Sequence, residues 1–256
     1  MKIKFIGTGS GKASLERYHS SILFSGNDYN LLIDAGDAIS RALLKQNIAY
    51  SYIDGILISH LHPDHSGGLA ALIVQMEITG RTKRLDLFLH ESLIEPVKKF
   101  ILTSYIFEEK MDFEIRYLPF KHKVKFTVNE EFNFIAKQNS HLDDYRKYDK
   151  KNELSFISNS FLFGHDGKKI FYTGDIGSKN DLYLFKGNDL ELIISEISHI
   201  SFHELLIAIG ELSPKKCLIT HIEDDNEILQ LSKSDSINNN LKHKIIIAHD
   251  GLSLIV

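Results

Sequence analysis

The chain has 256 residues, 43% hydrophobic and 25% charged, with one cysteine and a net charge of −4. That is enough apolar side chain for one large domain or two small ones with a buried core. A lone thiol, Cys217, excludes a disulfide framework and points to the cytoplasm. The acidic balance gives no global basic field for nucleic acid, and no stretch reads as a signal peptide or as the roughly 18 apolar residues of a membrane span.

"KIKFIG", "SSILFSG" and "YNLLIDAG" read as three short strands of a meander, punctuated by glycine and polar turns. "DAISRALLKQNI" has helical apolar spacing, and "IDGILIS" is a compact apolar run. "GLAALIVQMEITG" and "SLIEPVKKFILTSY" are helical, with "RLDLFLH" a strand between them and "FEIRYLPF", "VKFTV" and "FNFIAKQN" strands after. The second half repeats the alternation: strands "SFISNSFLFG", "KKIFYTGD" and "LELIISEIS", helix "FHELLIAIGEL", then strands "KKCLITH" and "HKIIIAHDG". The stretch "DDNEILQLSKSDSINNNLKHK" reads as a polar surface helix and loop. No linker rich in proline, glycine or serine divides the halves, so we expect one domain over residues 1–256, sheet packed on sheet with helices outside. The lysines and arginines at Lys121, Lys123 and Lys125, and at Arg146, Lys147, Lys150 and Lys151, read as solvated strand edges and loops.

Residues 58–68, "ISHLHPDHSGG", place three histidines and an aspartate at the end of an apolar strand, where loops build sites in layered α/β proteins. On extended backbone, His60 and His62 point the same way and can share one cation, while Asp64 and His65 on the turn can aim at a second. The two glycines then let the chain turn tightly into a helix. The alternative is a set of histidines that merely satisfies a loop. Three more polar residues follow apolar runs: His141 after "FNFIAKQNS", Asp175 after "KKIFYTG" and His221 after "KKCLIT". Singly, His141 could be a loop residue and His221 a capping or core histidine; together they extend the motif to two metals.

The order His60-x-His62-x-Asp64-His65, His141, Asp175 in "YTGD" and His221 in "LITH" resembles the metallo-β-lactamase superfamily along nearly the whole chain. The resemblance implies an αββα four-layer sandwich and two divalent cations. His60, His62 and His141 would hold one cation, Asp64, His65 and His221 the other, with Asp175 bridging. Zinc suits these nitrogen and oxygen donors, with manganese or iron as alternatives. An aspartate in "TGD" disfavours true β-lactamases, and "FIGTGSG", "SEIS", His199-Ile-Ser201 and "AHDGLSLIV" are similar to the ribonuclease Z and phosphodiesterase branch. His199 precedes His221 by 22 residues, and Glu196 falls where that branch keeps a glutamate. A carboxylate would orient and charge the imidazole of His199, which would assist the leaving oxygen. His203 is a weaker rival for that role.

Two departures narrow the substrate. The stretch matching the branch's tRNA-end loop is "ASLERY", which keeps only Arg17, a speculative phosphate clamp or a plain surface arginine. Only 33 residues separate His141 from Asp175, leaving no room for a basic tRNA-gripping arm. The resemblance then implies a phosphodiesterase in which a metal-bridging hydroxide, oriented by Asp64 or Asp175, attacks phosphorus. Its substrate would be a cyclic nucleotide, a cyclic sugar phosphate or a short oligonucleotide. The alternatives are a tRNA 3′-end endonuclease and, further off, a carboxyl-ester, thioester or lactone hydrolase. No membrane partner is expected, and the resemblance allows a homodimer.

Overall fold

The computed structural model describes residues 1–224, 241 and 243–256. The polar helix and loop expected over 224–244 lies, at 225–240 and 242, outside the described residues. Contacts divide the chain into two compact units, Met1–Lys121 with His249–Val256, and His122–Ala248.

The first unit carries a seven-stranded sheet in the order β14-β1-β2-β3-β4-β5-β6. Its strands are β1 (Lys2–Gly7), β2 (Ser21–Ser25), β3 (Asn30–Ile33), β4 (Gly55–Leu57), β5 (Leu85–His90), β6 (Ile115–Phe120) and β14 (Ser253–Ile255). The neighbours from β14 to β3 are antiparallel, and those from β3 to β6 are parallel. The parallel strands "NLLI", "GIL" and "LDLFLH" are almost wholly buried, as expected where both faces of a sheet are covered. In β1, by contrast, Ile3 and Phe5 are buried while Lys2 and Lys4 occupy the other face.

Four α-helices belong to this unit: α1 (Ile39–Lys45), α2 (Pro63–Ser66), α3 (Leu69–Ile78) and α4 (Ile94–Thr103). Helix α3 buries Leu69, Leu72, Ile73 and Met76, one stripe at helical spacing. Pro96 is tolerated in α4 because it sits in the first turn, whose N–H groups have no intrahelical partner.

The second unit repeats the plan with a sheet ordered β13-β12-β11-β10-β9-β8-β7. These are β7 (Lys125–Thr127), β8 (Asn133–Gln138), β9 (Asn159–His165), β10 (Lys168–Tyr172), β11 (Leu192–Ser195), β12 (Lys216–Ile219) and β13 (Ile245–Ile247). The pairs from β7 to β10 are antiparallel and those from β10 to β13 parallel. Strands β8, β10, β11 and β12 therefore run the same way, and their C-terminal ends share one edge of the sheet. Helix α5 (Phe202–Leu212) starts with a reciprocal capping box between Ser201 and Glu204 and buries Leu205, Leu206, Ala208 and Ile209. Leu205, Ala208 and Ile209 pack with Phe171, Ile193, Cys217 and Ile219 of the sheet. Among the described residues, no helix is long and apolar enough to cross a membrane.

Candidate metal centre

In the first unit, β4 delivers Ile58, Ser59 and His60, all fully buried, to the C-terminal edge of the sheet. The chain then makes a single helical turn, α2, with His62 as its N-cap and Pro63 at its first position, a placement that costs proline no hydrogen bond. The amides of His65 and Ser66 both donate to the His62 carbonyl, 2.9 Å each. The rings of His62 and His65 lie 4.8 and 4.2 Å from that of His60. Asp64 Oδ2 is 3.6 Å from His65 Nε2.

Asp34 organises this turn and was not foreseen from the sequence. It follows β3 in the left-handed region, φ 62°, and is fully buried. Its carboxylate accepts from the Ser59 amide (2.7 Å), the Ser59 hydroxyl (2.8 Å) and His65 Nδ1 (2.8 Å). A carboxylate on Nδ1 fixes the imidazole tautomer and leaves Nε2 as the donor to a cation. Backbone bonds finish the clamp: the Ala35 amide donates to the His65 carbonyl at 2.7 Å and the Gly68 amide to the Ala35 carbonyl at 2.9 Å. Glycine is demanded here by close approach. A Cβ at Gly36 would lie 2.2 Å from the Asp64 carbonyl oxygen, and one at Gly68 2.3 Å from the Gly36 carbonyl. Gly67 and Gly68 both keep ordinary negative φ, so the tight turn expected of them is a packing requirement.

In the second unit, β8, β10, β11 and β12 deliver His141, Asp175, Glu196 and His221 to one edge, and all four are buried. Asp175 Oδ2 lies 3.8 Å from His141 Nε2 and 3.3 Å from His221 Nε2. His221 has φ 56°, the left-handed conformation that costs a non-glycine residue energy and tends to persist at functional positions. Its Nδ1 is 2.7 Å from the Ser198 hydroxyl, which donates to Glu196 Oε2 at 2.8 Å. Glu196 also accepts from the Ile176 amide (3.2 Å), the His199 amide (2.9 Å) and His199 Nδ1 (3.0 Å). It thus grips His199 at both backbone and ring. His199, about a third exposed, stands edge-on to His141 with ring centres 4.7 Å apart. Donor atoms of His141, Asp175 and His199, and those of Glu196, His199 and His221, lie within 4.8 Å of one another.

Two further polar residues shape the loops. Asp181 accepts from the Ser140 hydroxyl at 2.7 Å and from the amides of Ser140, Gly177 and Ser178, pinning the loop before His141 to the one after Asp175. Asn139 donates to the Ser160 hydroxyl at 3.1 Å and its side-chain oxygen receives the His141 amide at 3.2 Å. Arg17 lies in the first unit, its Nη1 donating to the Thr8 hydroxyl at 2.7 Å, while Thr8 itself donates to Asp250. His203 is exposed on α5. The signal for Asp34, Ser198 and Asp181 was present as short polar residues just after strands or in glycine-bearing loops, a pattern that also describes ordinary turns.

Neutral imidazoles with the second nitrogen held, together with buried carboxylates, form the donor chemistry of a divalent cation such as zinc. Fold and donor sets define a metal-dependent hydrolase of the metallo-β-lactamase fold. Solved structures share that fold: YhfI from Bacillus subtilis aligns with TM-score 0.76 at 19% identity over 99% of each chain. Human tRNase Z, short form, aligns with TM-score 0.74 at 17% identity over 100% of this chain and 99% of its own. By sequence, the pattern of the family of Anti-Pycsar protein Apyc1 matches residues 1–244, and the chain belongs to that family. The Anti-Pycsar protein Apyc1 of Paenibacillus harenae is 27% identical over 235 residues, 88% of this chain and 90% of its own. The chain is accordingly a hydrolase that acts on phosphodiesters.

Proposed function

We propose that this chain hydrolyses a small cyclic nucleotide in the cytoplasm, residues 1–256 acting as one domain that holds two divalent cations. His60, His62 and His141 would hold one cation, Asp64, His65 and His221 the other, and Asp175 both. The cations, most suitably zinc, would supply Lewis acidity and an activated water. Membership of the Apyc1 family, which degrades cyclic nucleotides, supports the substrate class. So does the short span of 33 residues between His141 and Asp175.

The observation that carries the reaction is the Glu196–His199 pair. With Nδ1 donating to Glu196 Oε1, the remaining proton of a charged His199 sits on Nε2. Water adds to phosphorus and gives up one proton to solvent, the P–O bond to the ribose breaks, and His199 Nε2 gives its proton to the departing ribose oxygen, regaining one from solvent. Glu196 stabilises the charged imidazole before transfer and holds its orientation throughout. Asp34 and Ser198 position His65 and His221 and do not themselves meet the substrate.

The test is to incubate the purified chain with a 3′,5′-cyclic nucleotide and, separately, with a tRNA precursor carrying a 3′ trailer, and to separate the products chromatographically. A linear mononucleotide and an uncut precursor are expected. Cleavage at the tRNA 3′ end with the cyclic nucleotide left intact would reverse the assignment.

A further inference from the structure

On the first unit, the outer face of β1 and β2 meets the segment after α1 in an open pocket of about 400 Å³, within the range of small-molecule sites. Lys2, Lys4, Ser25, Gln46, Asn47 and Tyr52 supply its polar and aromatic wall, and no carboxylate lines it among the described residues. Lys2 and Lys4 project from one face of β1, two residues apart, so their stems start roughly 7 Å from each other. Among the described residues, neither makes an ion pair. Burial, and then the charge of Lys2, holds the Lys4 ammonium below the ordinary lysine range. Two cations crowded in this way favour a bound anion.

Gln46 is fixed in this wall by its Nε2, which donates to the Ile6 carbonyl at 2.8 Å. Tyr52, about half exposed, offers a flat ring at the same wall.

We propose that this pocket is a second ligand site, taking a nucleoside monophosphate. The phosphate would bridge Lys2 and Lys4, and the base would lie on Tyr52. Strand β1 runs in the same direction as β3 and β4, so Lys2 lies at the sheet edge opposite the metal loop, five residue steps or about 17 Å from Gly7. The site does not depend on the reaction proposed above.

The experiment counts bound adenosine monophosphate per chain by calorimetry on the metal-loaded protein, with inorganic phosphate as a second probe. The wild type should bind one equivalent more than the double variant Lys2→Gln/Lys4→Gln, whose hydrolysis of bis(p-nitrophenyl) phosphate is unchanged, and Lys2→Arg/Lys4→Arg should restore that equivalent. Tyr52→Ala should weaken the same equivalent of the nucleotide at least fivefold while leaving inorganic phosphate binding as it was. Equal numbers of equivalents on the wild type and the Lys→Gln double variant overturn the proposal.

Discussion

Asp34→Asn isolates the carboxylate that orients His65. The substitution keeps the side-chain volume, and asparagine tolerates the φ of 62° at this position. It removes one of two acceptor oxygens that receive three hydrogen bonds, at 2.7, 2.8 and 2.8 Å. The Ser59 hydroxyl can rotate to accept from the new amide, so the loss falls on the charge-assisted bond to His65 Nδ1, worth roughly 1.5–3 kcal/mol. At about 1.4 kcal/mol per decade this is a ten- to hundredfold loss of metal affinity, the usual effect of deleting such a partner. A chromophoric chelator competed against the protein for zinc reads the affinity, and thermal melting in excess chelator reads the fold. Wild-type affinity in a normally folded variant would refute the positioning role of Asp34.

Glu196→Gln should lower turnover by about 10²–10⁴-fold, the range for a general acid or base, while metal content stays that of the wild type; loss of metal would make Glu196 part of the metal-holding framework instead. Gly68→Ala would press a methyl to 2.3 Å from the Gly36 carbonyl, so a cost of about 1–3 kcal/mol is expected in denaturant melts, along with weaker metal binding; an unchanged midpoint would mean that the loop yields freely. Burial pushes the Cys217 thiol up to about 12 from 9.0. Between those values the unfolded chain loses a proton that the folded chain keeps, so stability should fall as pH rises through that window, and Cys217→Ala should remove that part of the slope. A variant with the same pH slope as the wild type would refute that reading.

Most strands could be read from the sequence because buried parallel strands are short apolar runs, as in "GILIS" and "KKCLIT", and because glycine or a polar residue ends each one. Strand β14 was missed: "SLI" at 253–255 is too short and too exposed to show alternation, and it exists through pairing with Lys2–Lys4. The expected strand from Ser155 begins only at Asn159, where the ladder with β8 ends at the pair Gln138 and Asn159. Within the site, histidines at the ends of apolar runs stand out, so His60, His62, His65, His141 and His221 are legible from the residues, whereas His199 and Glu196 come with the family resemblance. Asp34, Asp181 and Ser198 act through other side chains, and only the folded backbone shows what they touch. Legibility followed chemistry in this respect: donor atoms were visible in sequence, and the groups that aim them were not.

The most direct test of the central claim is the metal content of wild type and His62→Ala by plasma mass spectrometry, paired with cyclic-nucleotide turnover on the same samples. Two divalent ions per wild-type chain, with both metal and turnover lost in His62→Ala, is the predicted result. Turnover that persists in a metal-depleted His62→Ala would contradict the account.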